Sequence, residues 1–331
     1  MKRLARALER AWYRPGGAWW PLLPLAWLFG RVVALRRAAY ARGWLRSRRV
    51  GVPVLVIGNI TVGGSGKTPL VILIVRTLQA RGLRPGVVSR GYGGRAERYP
   101  LRVTATTPTA VAGDEPVLIA RRAGVPVAVD PDRARGAAAL VAEAGVDCVV
   151  ADDGLQHYRL ARDMEIAVTD ARRGLGNRRP LPAGPLREPP GRLDGVDLSL
   201  VHGAGGDFEL VPGAAQSLDH TSTRALADFV GRPVHAVAGI GDPGRFFAML
   251  RGCGLTVIEH PMPDHHVYTA GELMFDDDAP VLMTEKDAVK CADLAAETRW
   301  YVPVDAQLTE AGAARLERAL AHFAVHPGAT R

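Results

Sequence analysis

Val52-Pro53-Val54-Leu55-Val56-Ile57 runs into Gly58-Asn59-Ile60-Thr61-Val62-Gly63-Gly64-Ser65-Gly66-Lys67-Thr68-Pro69, and residues 70–79 follow with helical spacing. A short apolar run, a glycine-rich turn and an amphipathic stretch read as strand, loop and helix. With Gly-Lys-Thr at the helix start, the loop is built for phosphate. Glycines let successive backbone N–H groups face an anion, and the helix N-terminus adds a positive dipole. In this reading Thr61, Gly63, Gly64, Ser65 and Gly66 surround the phosphates, Lys67 reaches the β- and γ-phosphates, and the Thr68 hydroxyl binds Mg²⁺. Thr61 stands where the G-x-x-x-x-G-K-[ST] pattern begins with glycine, so the flanking strand and helix carry the assignment. The bland alternative is a tight turn bearing a surface lysine.

Outward from this loop, short apolar runs alternate with helical stretches. Strands are expected at 85–89, 125–129 and 148–151, and helices at 117–122 and 134–144. That alternation predicts an α/β protein, a P-loop NTPase-like parallel sheet with helices on both faces. The strand at 148–151 ends in Asp152-Asp153. Ligands of open α/β sheets bind at that end, and a phosphate loop needs a carboxylate there for Mg²⁺. The alternative is an ordinary acidic turn. A Pro/Gly-rich stretch at 179–191 reads as an ordered loop. Periodicity is lost near 208–218, and strands resume at 234–238, 256–259, 281–284 and 301–304. The expected division is an N-terminal segment (1–50), a phosphate-loop lobe (51–210) and a smaller α/β lobe closing the cleft (211–331).

One nucleotide signal points elsewhere and is set aside. Gly239-Ile240-Gly241-Asp242-Pro243-Gly244 follows a strand, with Glu259 about 20 residues on, and imitates a dinucleotide fingerprint. Because the phosphate loop already supplies a nucleotide site, this segment is read as a tight turn facing the cleft between the lobes. Guanine recognition by N-K-x-D is absent: neither asparagine, Asn59 or Asn177, precedes a lysine. ATP is expected.

A length of 331 residues suits two domains, and 47% hydrophobic residues suffice for a core. Cys148, Cys253 and Cys291 form neither a metal spacing nor a disulfide framework, which suits a reducing compartment. The net charge of +8 is local: residues 1–50 hold twelve basic side chains and one acid, leaving −3 for the rest. A nucleic-acid partner is therefore not expected. Five of the six tryptophans, Trp12, Trp19, Trp20, Trp27 and Trp44, share that segment. At 100° per residue Leu4, Leu8, Ala11 and Trp12 share a face opposite Lys2, Arg3, Arg6, Arg10 and Arg14. The uncharged stretch between Arg14 and Arg31 falls short of a membrane span and contains Pro21 and Pro24. The segment is read as an interfacial anchor on an anionic membrane surface, with tryptophans at headgroup depth. A helical pair packed on the protein's own core is the alternative.

The phosphate loop resembles that of the tetraacyldisaccharide 4′-kinase (lipid A 4′-kinase) family. So do Ser89-Arg90-Gly91-Tyr92-Gly93-Gly94, Gly113-Asp114-Glu115-Pro116 and Asp152-Asp153-Gly154-Leu155-Gln156-His157. Residues 181–188, Pro263-Asp264-His265-His266 and 283–289 match as well, in order, across about 50–305. The resemblance implies ATP-dependent phosphorylation of the 4′-hydroxyl of a tetraacylated glucosamine disaccharide 1-phosphate, at the cytoplasmic face of the inner membrane. It further implies a peripheral enzyme of lipid A and lipopolysaccharide biosynthesis, and a monomer is expected. Asp114 is then the base on the hydroxyl, partnered by His265, which follows Asp264 directly; an N-cap is the alternative for Asp114. Lys67 acts on the transferring phosphoryl group, and Thr68, Asp152 and Asp153 hold Mg²⁺. Arg90, Tyr92, Glu115, Gln156, His157, Arg187 and Glu188 are expected on the acceptor, with Arg187 suited to its 1-phosphate. Glu285 and Lys286 are read as an ion pair serving the fold. Two rivals stand beside this reading: an ATPase switching conformation on the membrane, and a tethered nucleotide-binding module without turnover.

Overall fold

In a computed structural model of the chain, residues 8, 11–13, 20–64 and 66–323 are described. Ser65, and Lys2, Arg3, Leu4, Arg6, Arg10, Arg14 and Trp19 of the N-terminal segment, lie outside them.

The strand β1 (Val54–Gly58) is buried on both faces, as its unbroken apolar run requires. Around it lie β2 (Pro85–Ser89), β3 (Leu101–Val103), β4 (Val127–Val129), β5 (Cys148–Asp152), β6 (Met164–Asp170), β7 (Leu198–His202) and β8 (Phe208–Pro212). With β15 (Val304–Leu308) they form a nine-stranded sheet in the order β15-β8-β7-β6-β1-β5-β2-β4-β3. Its centre is parallel, and β3 and β15 pair antiparallel at the edges. One face is covered by α2 (Lys67–Ala80), α3 (Asp114–Ala123) and α7 (Glu310–Phe323); the other packs on α4 (Arg133–Ala144). The helix α2 begins at Lys67, three residues before the apolar run, and Pro69 fits because the first turn needs no backbone donor.

A second sheet holds β9 (Ala215–Ser217), β10 (Thr223–Arg224), β11 (Pro233–Ala238), β12 (Thr256–Pro261), β13 (Val281–Thr284) and β14 (Arg299–Val302). Its order is β10-β9-β14-β13-β11-β12, with α5 (Pro243–Gly252) on one face and the short α6 (Glu285–Ala288) following β13. The expected boundary at 210/211 differs from this arrangement. Strand β8 crosses it and stays in the first sheet, while β15 and α7 return to that sheet from the C-terminal end. Leu316, Leu320 and Phe323 supply the reason: they complete the apolar layer over β6 to β8.

The N-terminal α1 (Leu23–Ala41) has Pro24 in its first turn, and Pro21 sits in the 3-10 turn Trp20–Leu22. The two prolines stand where the helix starts and do not break its interior; both occupy positions where a missing N–H costs nothing. Arg31, Arg36 and Arg37 limit its apolar length instead, and among the described residues no helix is long and apolar enough to cross a membrane. Leu25, Leu28, Val32 and Leu35 repeat at helical spacing on an exposed face, flanked by exposed Trp20 and Trp27. Trp12 is tied to the protein, its indole donating to the Pro182 carbonyl at 3.1 Å.

Ile74 lies wholly buried between α2 and the sheet. Ile74→Ala should lower unfolding free energy by about 2–5 kcal/mol in a denaturant titration, with the cavity left unfilled. A loss under ~1 kcal/mol would mean the sheet face collapses around the gap.

Candidate active site

β1 delivers its chain into the phosphate loop at the C-terminal edge of the parallel sheet, and β5 delivers Asp152 and Asp153 beside it. The helix N-cap Gly66 has φ +77, a left-handed conformation, and a Cβ there would lie 3.0 Å from the His202 ring. Glycine is required for both reasons. Lys67 does not hang free: its Nζ donates to Asn59 Oδ1 at 3.1 Å and lies 3.4 Å from Asp153 Oδ1. Asp153, itself at φ +47, also accepts from Arg187 at 2.8 Å. Burial works to raise its pKa, but the Lys67 and Arg187 charges prevail and hold it well below the usual carboxylate range. Asp152 has the opposite character. Burial, then the Glu115 and Asp153 charges, push it up to about 7.

The loop lines a cleft of about 1450 Å³ between the two lobes, with α1 on one rim through Phe29, Val33 and Arg36. Gly63, Gly64, Gly66, Lys67, Thr68, Arg90, Tyr92 and Glu115 lie on its wall. So do Asp152, Asp153, Gln156, His157, Arg187, Glu188 and His265. Thr61 stands outside it, bridged to Leu186, with its hydroxyl accepting from Asn59. Asp114 stands just behind the wall: its Oδ2 lies 3.0 Å from His265 Nδ1, and His265 Nε2 lies 3.7 Å from Asp264. Asp114 opens α3 rather than capping it; the N-cap is Gly113. His266 turns away to Glu272 at 3.0 Å, so only His265 meets the buried carboxylate. Tyr92 is 67% exposed, with its ring 5.1 Å from that of His265.

Several expected acceptor residues are committed to the protein. Glu188, 2% exposed, accepts from Gln156 at 2.9 Å and from the Tyr158 hydroxyl. Arg187 is paired with Asp153, whereas Arg133 is buried with only carbonyl partners, the Asp130 and Asp152 oxygens. Burial, with Arg133 and Arg90 adding to it, lowers His157 to about 4, so its ring is neutral at neutral pH.

Glu285 and Lys286 do not pair with each other. Adjacent residues of a helix point apart. Glu285 binds Arg122 at 2.7 Å, and Lys286 binds Glu115 at 3.2 Å and Asp264 at 3.7 Å. Burial lowers the Lys286 pKa, but the Glu115, Asp264 and Asp114 charges outweigh it and raise it. Lys290 lies 3.9 Å from Asp114 and 2.7 Å from Asp287. On the other side of the phosphate loop, Arg245 binds Asp170 at 2.5 Å, and Arg172 and Arg173 bind Asp242. These second-lobe contacts, and Asn59, were missed in the sequence. Only Asn59 carried a signal, as a polar residue buried inside the phosphate loop itself.

The glycine segment 239–244 is a turn at the cleft: a Cβ on Gly241 would lie 3.9 Å from the Gly64 nitrogen. Glu259 pairs with Arg251 at 2.6 Å instead of awaiting a ribose.

The family model described as LpxK, tetraacyldisaccharide-1-P 4′-kinase, matches residues 18–321. The chain belongs to the tetraacyldisaccharide-1-P 4′-kinase family. The tetraacyldisaccharide 4′-kinase of Alkalilimnicola ehrlichii is 56% identical over 307 residues, covering 91% of this chain and 92% of that one. Its counterpart in Pseudomonas paraeruginosa is 52% identical over 323 residues, covering 96% and 97%. Among solved structures, the "apo" form of LpxK from Aquifex aeolicus in complex with ATP superposes with a TM-score of 0.77. It is 27% identical and spans 92% of this chain and 98% of its own. As a member of this kinase family the chain is an enzyme, and the resemblance seen in its motifs is the correct one.

Arg122 and Glu285 face each other across the lobes with little exposure. Arg122→Ala leaves a carboxylate stranded, and the expected cost is roughly 3–5 kcal/mol in guanidinium unfolding. A change near zero would show that water reaches Glu285 freely.

Proposed function

We propose that this chain transfers the γ-phosphoryl group of ATP to the 4′-hydroxyl of a tetraacylated glucosamine disaccharide 1-phosphate, giving the bis-phosphorylated lipid A precursor. The observation that carries the reading is one cleft lined both by the phosphate loop with Lys67 and by His265 on Asp114, and rimmed by an exposed apolar helix. The hydroxyl oxygen forms a bond to the γ-phosphorus as the bond to the β–γ bridging oxygen breaks. ADP departs with that electron pair, and the proton passes to the Asp114–His265 pair. Lys67, aimed by Asp153 and exchanging its Asn59 contact for phosphate, neutralises charge on the β- and γ-phosphates together with the α2 N-terminus.

Mg²⁺ fits the oxygen donors present. Asp152 Oδ1 is buried without a hydrogen-bond partner, and the Thr68 hydroxyl lies on the same cleft. Among the described residues no cluster of three or more His, Cys, Asp or Glu could hold a metal, which suits an ion sharing its shell with nucleotide phosphates and water. When bound it would neutralise phosphate charge. Asp153, occupied by two cations, is better suited to orienting Lys67 than to ligating the ion.

The acceptor is a lipid, and the exposed face of α1 with its basic flank suits attachment to an anionic surface at the cytoplasmic side of the inner membrane. Lodged there, the cleft receives a headgroup without extraction of acyl chains.

The test is transfer of labelled γ-phosphate to the disaccharide 1-phosphate lipid in mixed micelles. Lys67→Ala should reduce turnover on the order of 10³-fold. Asp114→Asn should lower kcat strongly with ATP affinity nearly unchanged. ATP hydrolysis independent of lipid would favour the membrane-switch reading, and lost ATP affinity with kcat preserved would remove Asp114 from proton transfer.

Each large apolar side chain of α1 entering the acyl boundary contributes about 1.5–3 kcal/mol. Trp27→Glu combined with Leu28→Glu should release the protein from anionic vesicles and raise KM for the lipid, leaving KM for ATP unchanged. Sedimentation with vesicles equal to that of the parent would sink the attachment.

A further inference from the structure

The N-terminal helix is joined to the phosphate-loop lysine by a run of hydrogen bonds that ends in an ion pair. At the helix end, Arg36 Nη1 donates to the Gln156 carbonyl at 3.1 Å, and its guanidinium lies over the Tyr40 and Tyr158 rings, at 5.7 and 5.9 Å. The two tyrosine rings are themselves 5.8 Å apart. The chain beyond α1 is sewn to the same turn: Ser47 Oγ donates to the Tyr158 carbonyl at 2.7 Å, and Arg48 N to the Arg159 carbonyl at 2.7 Å.

From that turn the contacts run inward. The Tyr158 hydroxyl donates to Glu188 Oε1, and Gln156 Nε2 donates to Glu188 Oε2 at 2.9 Å. Gln156 Oε1 accepts from Arg187 at 3.3 Å; Arg187 holds Asp153 at 2.8 Å; Asp153 lies 3.4 Å from Lys67.

We infer that Arg36 and Tyr158 are positioning residues for Lys67, coupling the lipid-facing helix to the phosphate site through Gln156, Glu188, Arg187 and Asp153. The inference rests on the kinase reading above. Glu188 is nearly dry, so removing the Tyr158 hydroxyl leaves a buried carboxylate oxygen unpaired. The Gln156 amide and the Arg192 guanidinium, 3.8 Å from Glu188, are the groups that can turn to satisfy it. If Gln156 turns, Arg187 loses a partner, and Asp153 is then free to follow Lys67 instead of fixing it. A lysine ammonium is a point charge on a flexible stem, so its aim depends on such neighbours. Arg36 stands at the exposed edge of the run. Its hydrogen bond to Gln156 strengthens when a bilayer excludes water from that edge.

The experiment is steady-state kinetics of the full-length protein in anionic mixed micelles, varying ATP and acceptor lipid separately, with thermal unfolding of each variant. Arg36→Ala and Tyr158→Phe should each lower kcat about tenfold, the scale on which outer contacts tune a site. Acceptor KM should stay within about twofold, and the thermal midpoint within ~2 °C of the parent. Arg36→Lys should recover part of the loss, since a cation and a donor remain. The double variant should lose no more than the worse single variant, which is the mark of one shared path. Several outcomes overturn the inference. Losses multiplying to about a hundredfold would make the two residues independent. A raised acceptor KM with kcat preserved would make Arg36 a lipid contact, and a fallen thermal midpoint with unchanged turnover per folded molecule would make both residues purely structural. An active parent whose variants equal it overturns this inference alone; a parent that transfers no phosphoryl group overturns the kinase reading as well.

Discussion

A carboxylate clasped by two cations holds the site together. Asp153 meets Lys67 from the phosphate loop and Arg187 from the Pro/Gly-rich loop, so three chain segments converge on one acidic side chain. Its left-handed backbone follows from the geometry: β5 must end and turn sharply to present Asp152 and Asp153 on the same rim. The adjacent aspartates thereby acquire opposite chemistry. Asp153 is kept charged by its partners, while Asp152, buried with an unpartnered oxygen and beside other carboxylates, favours a proton unless a cation joins it. Two identical residues next to each other are separated in role by which cations the fold brings to them.

Where α6 meets α3, the second lobe reaches the first through a row of charges. Along α3, acids stand at the start and a basic pair at the end, Asp114 and Glu115 against Arg121 and Arg122. The segment around α6 answers with Lys290, Lys286 and Glu285 on Asp114, Glu115 and Arg122 in turn. Swapped registry would bring like charges together, so the pattern fixes how the lobes meet more than how tightly they hold. Tight hydrophobic sealing would bury the cleft. Ion pairs around a cavity of this size leave it open to a nucleotide and a headgroup.

Local readings survived the passage from sequence to structure, and distant ones only where phosphate chemistry, as for Asp152 and Asp153, or a family resemblance supplied them. The strand–loop–helix around Lys67, the strands at 85–89 and 281–284, and the turn nature of 239–244 depend on neighbours in sequence, whose periodicity and glycines are visible in the chain. The meeting of Asp114 with His265 spans 151 residues and was named only through a family resemblance. Lys286 was paired with its neighbour Glu285 because adjacency was the only geometry a sequence offers; in the helix they diverge to partners 171 and 163 residues away. The return of β15 to the first sheet was likewise invisible. Nothing in Val304–Leu308 says which of two sheet edges it will join, and the choice is made by the apolar face of α7 that follows it.

On the attachment proposed for the N-terminal helix, a protein acting on a lipid need not span the membrane. Its outward face carries leucine, valine and tryptophan, yet arginines recur at 31, 36 and 37 and would keep it from entering hydrocarbon fully. One of those arginines turns inward to the Gln156 carbonyl, while Phe29 and Val33 on the same helix wall the cleft. A buried spanning helix would place the reacting hydroxyl at the wrong depth, and a helix without its apolar face would leave the acyl chains in water. On the interfacial reading proposed above, a helix that is also a wall of the site would meet both demands, because one element would set both its own depth and the height of the phosphate loop above the headgroups.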